Sequence, residues 1–313
     1  MRPSLPTGSL LGLISRPVPE KRERWGARLY PERHAASTST VSCAIFPLLP
    51  EQPLNTVSTR QEEITMTHLT VFLDVGGVIN DKDQQITQWQ RLVGPCFVSL
   101  LGGTAEGWAQ ANGLITERLL EWESAHARAN FVTFYSASQL HWVRGICNLQ
   151  NMPIPSVEEC LNLASRATDW ISRRVQAAMP DAREAIRLLS SQGYRLHTAS
   201  GSCSREMAGY LEGLGVRHYF GRPYGADLIN AFKQEPQYFE RIFADSGVRP
   251  TEALVVDDSA QALRWARQVG ARTILVSSSL PPEQDTIPHI GSLTELPAWL
   301  QQRSWCDQQQ DGP

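Results

Sequence analysis

Lysine is scarce in this chain: Lys21, Lys82 and Lys233 are the only three among 313 residues, against 26 arginines. Cysteine is sparse too, and the six present (Cys43, Cys96, Cys147, Cys160, Cys203, Cys306) form no C-x-x-C pair. That scatter is poor material for a zinc site or a disulfide framework, and it fits a reducing cytoplasm. Excess charge of either sign is also missing. A net charge of −3 gives no electrostatic reason to expect nucleic acid or an anionic membrane as partner. Long apolar runs are absent: the weakly polar stretch from Leu92 to Ala105 is short and interrupted by Gly94, Pro95, Gly102 and Gly103, which excludes a membrane-spanning helix there.

What is present describes a globular protein. The hydrophobic content of 42% and charged content of 19% suit one large domain or two smaller ones with a sizeable core. Residues 1–65 differ, being rich in Pro, Ser, Thr and Arg and without an apolar period; they read as a disordered or non-native extension, with Met66 as an alternative start. Four short apolar runs follow, Leu69–Val75, Tyr194–Ala199, Ala253–Val256 and Thr273–Val276, each suited to a strand buried on both faces of a parallel sheet. Amphipathic helices lie between them and stop at Gly193, Gly215, Gly247 and Gly270. This rhythm predicts an α/β fold with a doubly wound parallel sheet over residues 66–81 and 180–301. Residues 82–179 interrupt it with helical periods and with Trp89, Trp108, Trp122, Trp142 and Trp170, which read as the core of an inserted all-helical cap. Residues 302–313 read as a flexible tail.

The chemistry-bearing residues sit where the strands end. Asp74 closes the first apolar run and is followed by Gly76-Gly77, which lets backbone approach a ligand. A carboxylate there either caps a turn or serves as metal ligand and nucleophile. Ser200 and Gly201 follow the second run, ahead of a helix expected near Ser202 whose N-terminus would favour an anion; alone, a serine there is an ordinary helix cap. Lys233 is notable in so arginine-rich a chain, because a compact ammonium suits a phosphoryl oxygen crowded against an aspartate better than a planar guanidinium does. Asp257 and Asp258 end the third run, and their mutual repulsion is best offset by a divalent cation.

In this order, the four pieces resemble the haloacid dehalogenase-like (HAD) hydrolases, from Thr67 to Leu300 and including Ser292-Leu-Thr-Glu-Leu-Pro297, most closely the members with a helical cap after the first strand. The resemblance implies a Rossmann-like core, Asp74 as nucleophile and metal ligand, and Ser200 and Gly201 as phosphoryl-binding residues. It implies Lys233 as the cation holding nucleophile and phosphate, and a Mg²⁺ site of Asp74, the Gly76 carbonyl, Asp257 and Asp258. The implied activity is hydrolysis of a small phosphorylated metabolite. Gly76 departs from the pattern, because phosphatases of this kind usually carry an aspartate there as general acid and base, a loss worth about 10²–10⁴ in rate. Gln234, where Pro is commoner, departs more mildly, and Asp81 or Asp83 are the nearby carboxylates able to substitute for the acid. Two alternatives stay open: a haloacid dehalogenase in which Asp74 displaces halide without metal, and an impaired binding or regulatory protein. A phosphonate-cleaving enzyme is disfavoured, because Lys82 at the edge of the helical block is its only lysine. Arg91, Arg118, Arg128 and Arg144 are the cap's candidate anion contacts.

Overall fold

A computed structural model describes residues 69–125, 130–278 and 287–302. The expected extension over residues 1–65 lies outside the described residues, as does the expected tail beyond residue 302. Among the described residues, six strands form one parallel sheet: β1 (Thr70–Leu73), β2 (Arg195–Ala199), β3 (Phe220–Tyr224), β4 (Ala253–Asp257), β5 (Arg272–Val276) and β6 (His289–Ile290). Their order is β3-β2-β1-β4-β5-β6. The chain therefore winds outward on one side of β1 and then returns to wind outward on the other. The crevice between β1 and β4 is the switch point of the sheet, where ligands bind in such folds.

Alternation along β1 divides the core between the two faces. Val71 and Leu73 join a cluster with residues of α5 (Ala182–Ser191) and α6 (Ser204–Gly213), while Phe72 joins α7 (Pro236–Ser246) and α8 (Ala260–Gln268) on the opposite face. Both faces are covered, which is why β1 and β4 carry no exposed residue. The expected glycine stops hold: α7, for example, ends on Gly247, whose left-handed φ of 68° favours a residue without Cβ.

The two edge strands carry no clear local signal. β3 reads Phe-Gly-Arg-Pro-Tyr with an exposed centre, and its proline is tolerated because an edge strand need not donate every amide. β6 has only two residues, too few to show a period.

Among the described residues, four helices come between β1 and α5: α1 (Lys82–Leu101), α2 (Ala105–Ala125), α3 (Phe131–Leu149) and α4 (Val157–Ser172). Contrary to the break read at Gly94-Pro95, α1 runs through both residues to Leu101. Gly94 serves close packing, since a Cβ there would lie 2.4 Å from the Ala105 carbonyl oxygen of α2. Trp108 and Trp142 are buried, and Trp89, Trp122 and Trp170 pack against the same cluster, which is continuous with one face of the sheet. The Trp142 indole donates to Asn112 Oδ1 at 2.8 Å and the Trp108 indole to the Gly102 carbonyl at 2.7 Å, so both polar edges are satisfied inside the core. The chain enters and leaves this helical block through paired segments: the Asp81 amide donates to Ala177 O and the Met179 amide to Ile79 O, both at 2.8 Å. Among the described residues, no helix is long and apolar enough to cross a membrane.

Candidate active site

Sheet register assembles the site. Leu73 of β1 pairs with Thr198 of β2 and with Val256 of β4, so the next residues, Asp74, Ala199 and Asp257, emerge at one level on three adjacent strand ends. The ladder continues one step further, as the Asp74 amide donates to Val256 O at 2.9 Å. Both carboxylates are buried, Asp257 nearly completely at 1% exposure.

Lys233 ties these three strand ends together. It comes from the loop between β3 and α7, and its Nζ donates to Asp74 Oδ1 at 2.8 Å and to the Ala199 carbonyl at 2.6 Å. It also lies 2.6 Å from Asp257 Oδ2, as an ion pair outside hydrogen-bond angles. Burial by itself would lower the Lys233 pKa, but Asp257 and Asp74 outweigh it and hold the ammonium well above its ordinary value. Asp257 is pushed up to about 7, chiefly by burial, with Lys233 pulling it down and Asp74 adding repulsion. Asp258 is shifted upward by burial and by Asp74, against the opposing pull of Lys82.

Asp74, Asp257 and Asp258 each present an oxygen such that all three lie within 4.8 Å of one another. Hard carboxylate oxygens in this arrangement fit a hard divalent cation. The pair at 257–258 does not cap α8; Ser259 does, accepting from the Ala262 amide, while Asp257 Oδ1 accepts from the Ser259 amide at 2.8 Å. Gly77 permits the approach of Asp258: its φ is 84°, and a Cβ there would fall 2.2 Å from Asp258 Oδ2.

Ser200 is buried at the end of β2, with its carbonyl held by the Tyr238 hydroxyl at 2.8 Å and its Oγ accepting from the Ser202 amide at 3.3 Å. The helix N-terminus expected to favour an anion is partly taken. α6 begins at Ser204, and Asp227 already accepts from both the Ser204 amide and its hydroxyl, each at 2.6 Å. On this side the cavity is lined by Ser200, Gly201 and Ser202.

A cavity of about 170 Å³ opens over these groups. Asp74, Gly76, Ser200, Gly201, Lys233, Asp257 and Asp258, the residues singled out from sequence, all line it. The carboxylates considered as substitutes for an acid at position 76 do not. Asp81 caps α1, accepting from the Gln84 amide at 2.9 Å, and Asp83 is exposed in the first turn of that helix. Lys82, between them, reaches in: its Nζ donates to Asp258 Oδ2 at 2.5 Å. Partial burial lowers the Lys82 pKa, but Asp258, joined by Asp74 and Asp257, outweighs it and holds the ammonium above its ordinary value. The scarcity of lysine that marked Lys233 applies equally to Lys82, and that was the signal available for it. From the helical block, Gln85 also lines the cavity, whereas Arg91, Arg118 and Arg144 do not; Arg128 lies outside the described residues.

A family model described as haloacid dehalogenase-like hydrolase matches residues 69–270. The curated (S)-2-haloacid dehalogenase 4A of Burkholderia cepacia is 27% identical over 124 residues, covering 38% of this chain and 54% of that protein. The chain thus spans about half the length of the curated relative it matches. Among solved structures, the 2-haloacid dehalogenase of Pseudomonas syringae pv. Tomato DC3000 aligns with a TM-score of 0.53 and 18% identity, over 75% of this chain and 99% of that one. A defluorinating L-2-haloacid dehalogenase aligns with a TM-score of 0.51 and 17% identity, over 74% and 95% of the two chains. At such identities the structural likeness concerns the fold.

Proposed function

The chain belongs to the haloacid dehalogenase-like hydrolases, and from that premise we propose that it hydrolyses a small phosphate monoester in a Mg²⁺-dependent reaction through Asp74. The observation that carries this reading is the convergence of Asp74, Asp257 and Asp258 within 4.8 Å. A metal-free displacement needs only the first of these carboxylates. Bound at the three oxygens, Mg²⁺ would neutralise charge on the phosphoryl group.

The chain's own residues account for the remaining steps. Lys233 holds Asp74 Oδ1, which orients the second carboxylate oxygen for attack on phosphorus. The new O–P bond forms as the ester P–O bond breaks, giving an aspartyl-phosphate on Asp74 and an alkoxide that takes a proton from solvent. Water then attacks phosphorus, releasing inorganic phosphate and restoring the carboxylate. Ser200 and Gly201 line the side on which the phosphoryl oxygens would sit, and Lys233 offsets their charge. Since Gly76 donates no proton, turnover should favour esters with good leaving groups. The small polar cavity, closed on one side by Lys82 and Gln85 of α1, favours a compact substrate, with α1–α4 acting as a cap that selects it.

A second reading has its own support. Lys82 on Asp258 supplies a counter-charge without metal, and the curated relative is named a 2-haloacid dehalogenase. In that reaction Asp74 displaces halide from carbon, and water hydrolyses the resulting ester. The deciding experiment follows phosphate release from a panel of small phosphate esters and halide release from 2-haloacids, with and without Mg²⁺, using Asp74→Asn as the blank. Mg²⁺-dependent phosphate release supports the first reading; metal-independent halide release overturns it in favour of the second. Mg²⁺ binding with turnover of neither substrate would identify a binding protein.

A further inference from the structure

Lys82 occupies the space that the missing side chain at position 76 leaves open. A Cβ at Gly76 would lie 3.2 Å from Lys82 Cε and 3.4 Å from its Cγ. The placement is fixed by backbone: Asp81 caps α1 and donates its amide to Ala177 O, so the first helical residue points across the strand ends. From there Nζ reaches Asp258 Oδ2 at 2.5 Å, bridging 176 residues of sequence. That oxygen belongs to the carboxylate that completes the three-carboxylate cluster. An ammonium and a divalent cation repel each other strongly at such range, and they compete for the same lone pairs.

We propose that Lys82 is a built-in counter-ion of the acidic cluster, holding Asp258 in the metal-free protein and displaced from it when a divalent cation binds. The inference rests on the metal-dependent reading of the site. Displacement is sterically open, because the Lys82 side chain is 44% exposed and its flexible stem can swing outward to water. Asp257, by contrast, is buried against Lys233, whose side chain is only 9% exposed, so that pair cannot separate in the same way. The two lysines thus divide the work. Lys233 is the permanent cation of the site, and Lys82 is the exchangeable one that keeps three carboxylates from facing one another unscreened.

The test is Mg²⁺ titration by calorimetry of wild type, Lys82→Met and Lys82→Arg. It is combined with melting in EDTA of Lys82→Met in the wild-type and Asp258→Asn backgrounds. Removing the competitor should tighten Mg²⁺ binding about three- to tenfold in Lys82→Met, while Lys82→Arg, which keeps the charge, stays within about twofold of wild type. In EDTA, Lys82→Met should lower Tm in the wild-type background and not when Asp258 is already neutral. Unchanged or weaker Mg²⁺ affinity in Lys82→Met, or an equal Tm loss in both backgrounds, overturns the proposal while leaving a metal-dependent hydrolase intact. Binding by Lys82→Met alone supports displacement but overturns the metal-dependent reading of the wild type, since Lys82 then stands in place of the metal. Binding by neither overturns both.

Discussion

Replacing Lys233 by Met removes the ammonium shared by three strand ends while keeping an unbranched side chain of similar length. In the native protein its Nζ lies 2.8 Å from Asp74 Oδ1, 2.6 Å from Asp257 Oδ2 and 2.6 Å from the Ala199 carbonyl. Deleting one member of a buried ion pair typically costs about 3–5 kcal/mol, because a desolvated charge is left without its partner. Here two carboxylates lose the same partner, so the upper part of that range is expected in EDTA at pH 8. The pH dependence has a definite sign. Burial already pushes Asp257 up to about 7. A carboxyl raised in the folded state is fully destabilising above its folded pKa, and the cost is relieved as pH falls toward its unfolded value of about 3.9. Lys233 pulls that pKa down, so without it the relief sets in at still higher pH. The deficit of Lys233→Met relative to wild type should therefore be largest at pH 8 and clearly smaller at pH 5. Urea unfolding followed by circular dichroism at both pH values measures it. A deficit below about 1 kcal/mol at pH 8, the range of an exposed pair, or an equal deficit at both pH values, refutes the assignment of Lys233 as the charge hub.

Other outcomes follow from the same geometry. Gly77→Ala should lower stability by about 1–3 kcal/mol in thermal melts and weaken Mg²⁺ binding, because φ is 84° and the added Cβ meets Asp258. Gly76 has no positive φ, and its nearest obstacle is the movable Lys82 stem, so aspartate can be accommodated there. Gly76→Asp should raise kcat/KM on an unactivated phosphate ester about tenfold or more by restoring a proton donor, with little change on an activated one; equal, fast cleavage of both esters by the wild type would show that another group already supplies the proton. Away from the site, Glu206 is pushed up to about 7, chiefly by burial, with the Tyr210 hydroxyl pulling it down. Its cost is present above pH 7 and fades toward pH 4–5; because the side chain is half-buried, Glu206→Gln should stabilise the protein at pH 8 by about 1–2 kcal/mol and hardly at all at pH 5. Denaturant unfolding at the two pH values checks this sign.

The features legible in sequence were those with local causes. Val71 to Leu73 and Ala253 to Val256 had to be buried on both sides because no polar residue interrupts them, and a carboxylate directly after such a run had to sit at a strand end. Helix stops carried the same kind of local signal, a glycine beyond an amphipathic period. Asp74, Ser200, Lys233, Asp257 and Asp258 each have an ordinary reading in isolation and stand out only through their joint order along the chain; all line one cavity.

Tertiary structure decided what no local pattern encodes. Equal register of β1 with β2 and β4 brings Asp74, Ala199 and Asp257 to one level, so that a single ammonium reaches all three. Edge strands β3 and β6 exist because a neighbouring strand offers hydrogen bonds, not because their own residues favour them. Asp227 accepts the first amide of α6 from 23 residues away, taking up part of the helix N-terminus that the sequence had suggested for an anion. Lys82 reads in sequence as one charge at the start of a helix. The pairing of Ile79–Asp81 with Ala177–Met179 aims it at Asp258, a contact across 176 residues whose cause lies in chain connectivity and in the empty space at Gly76.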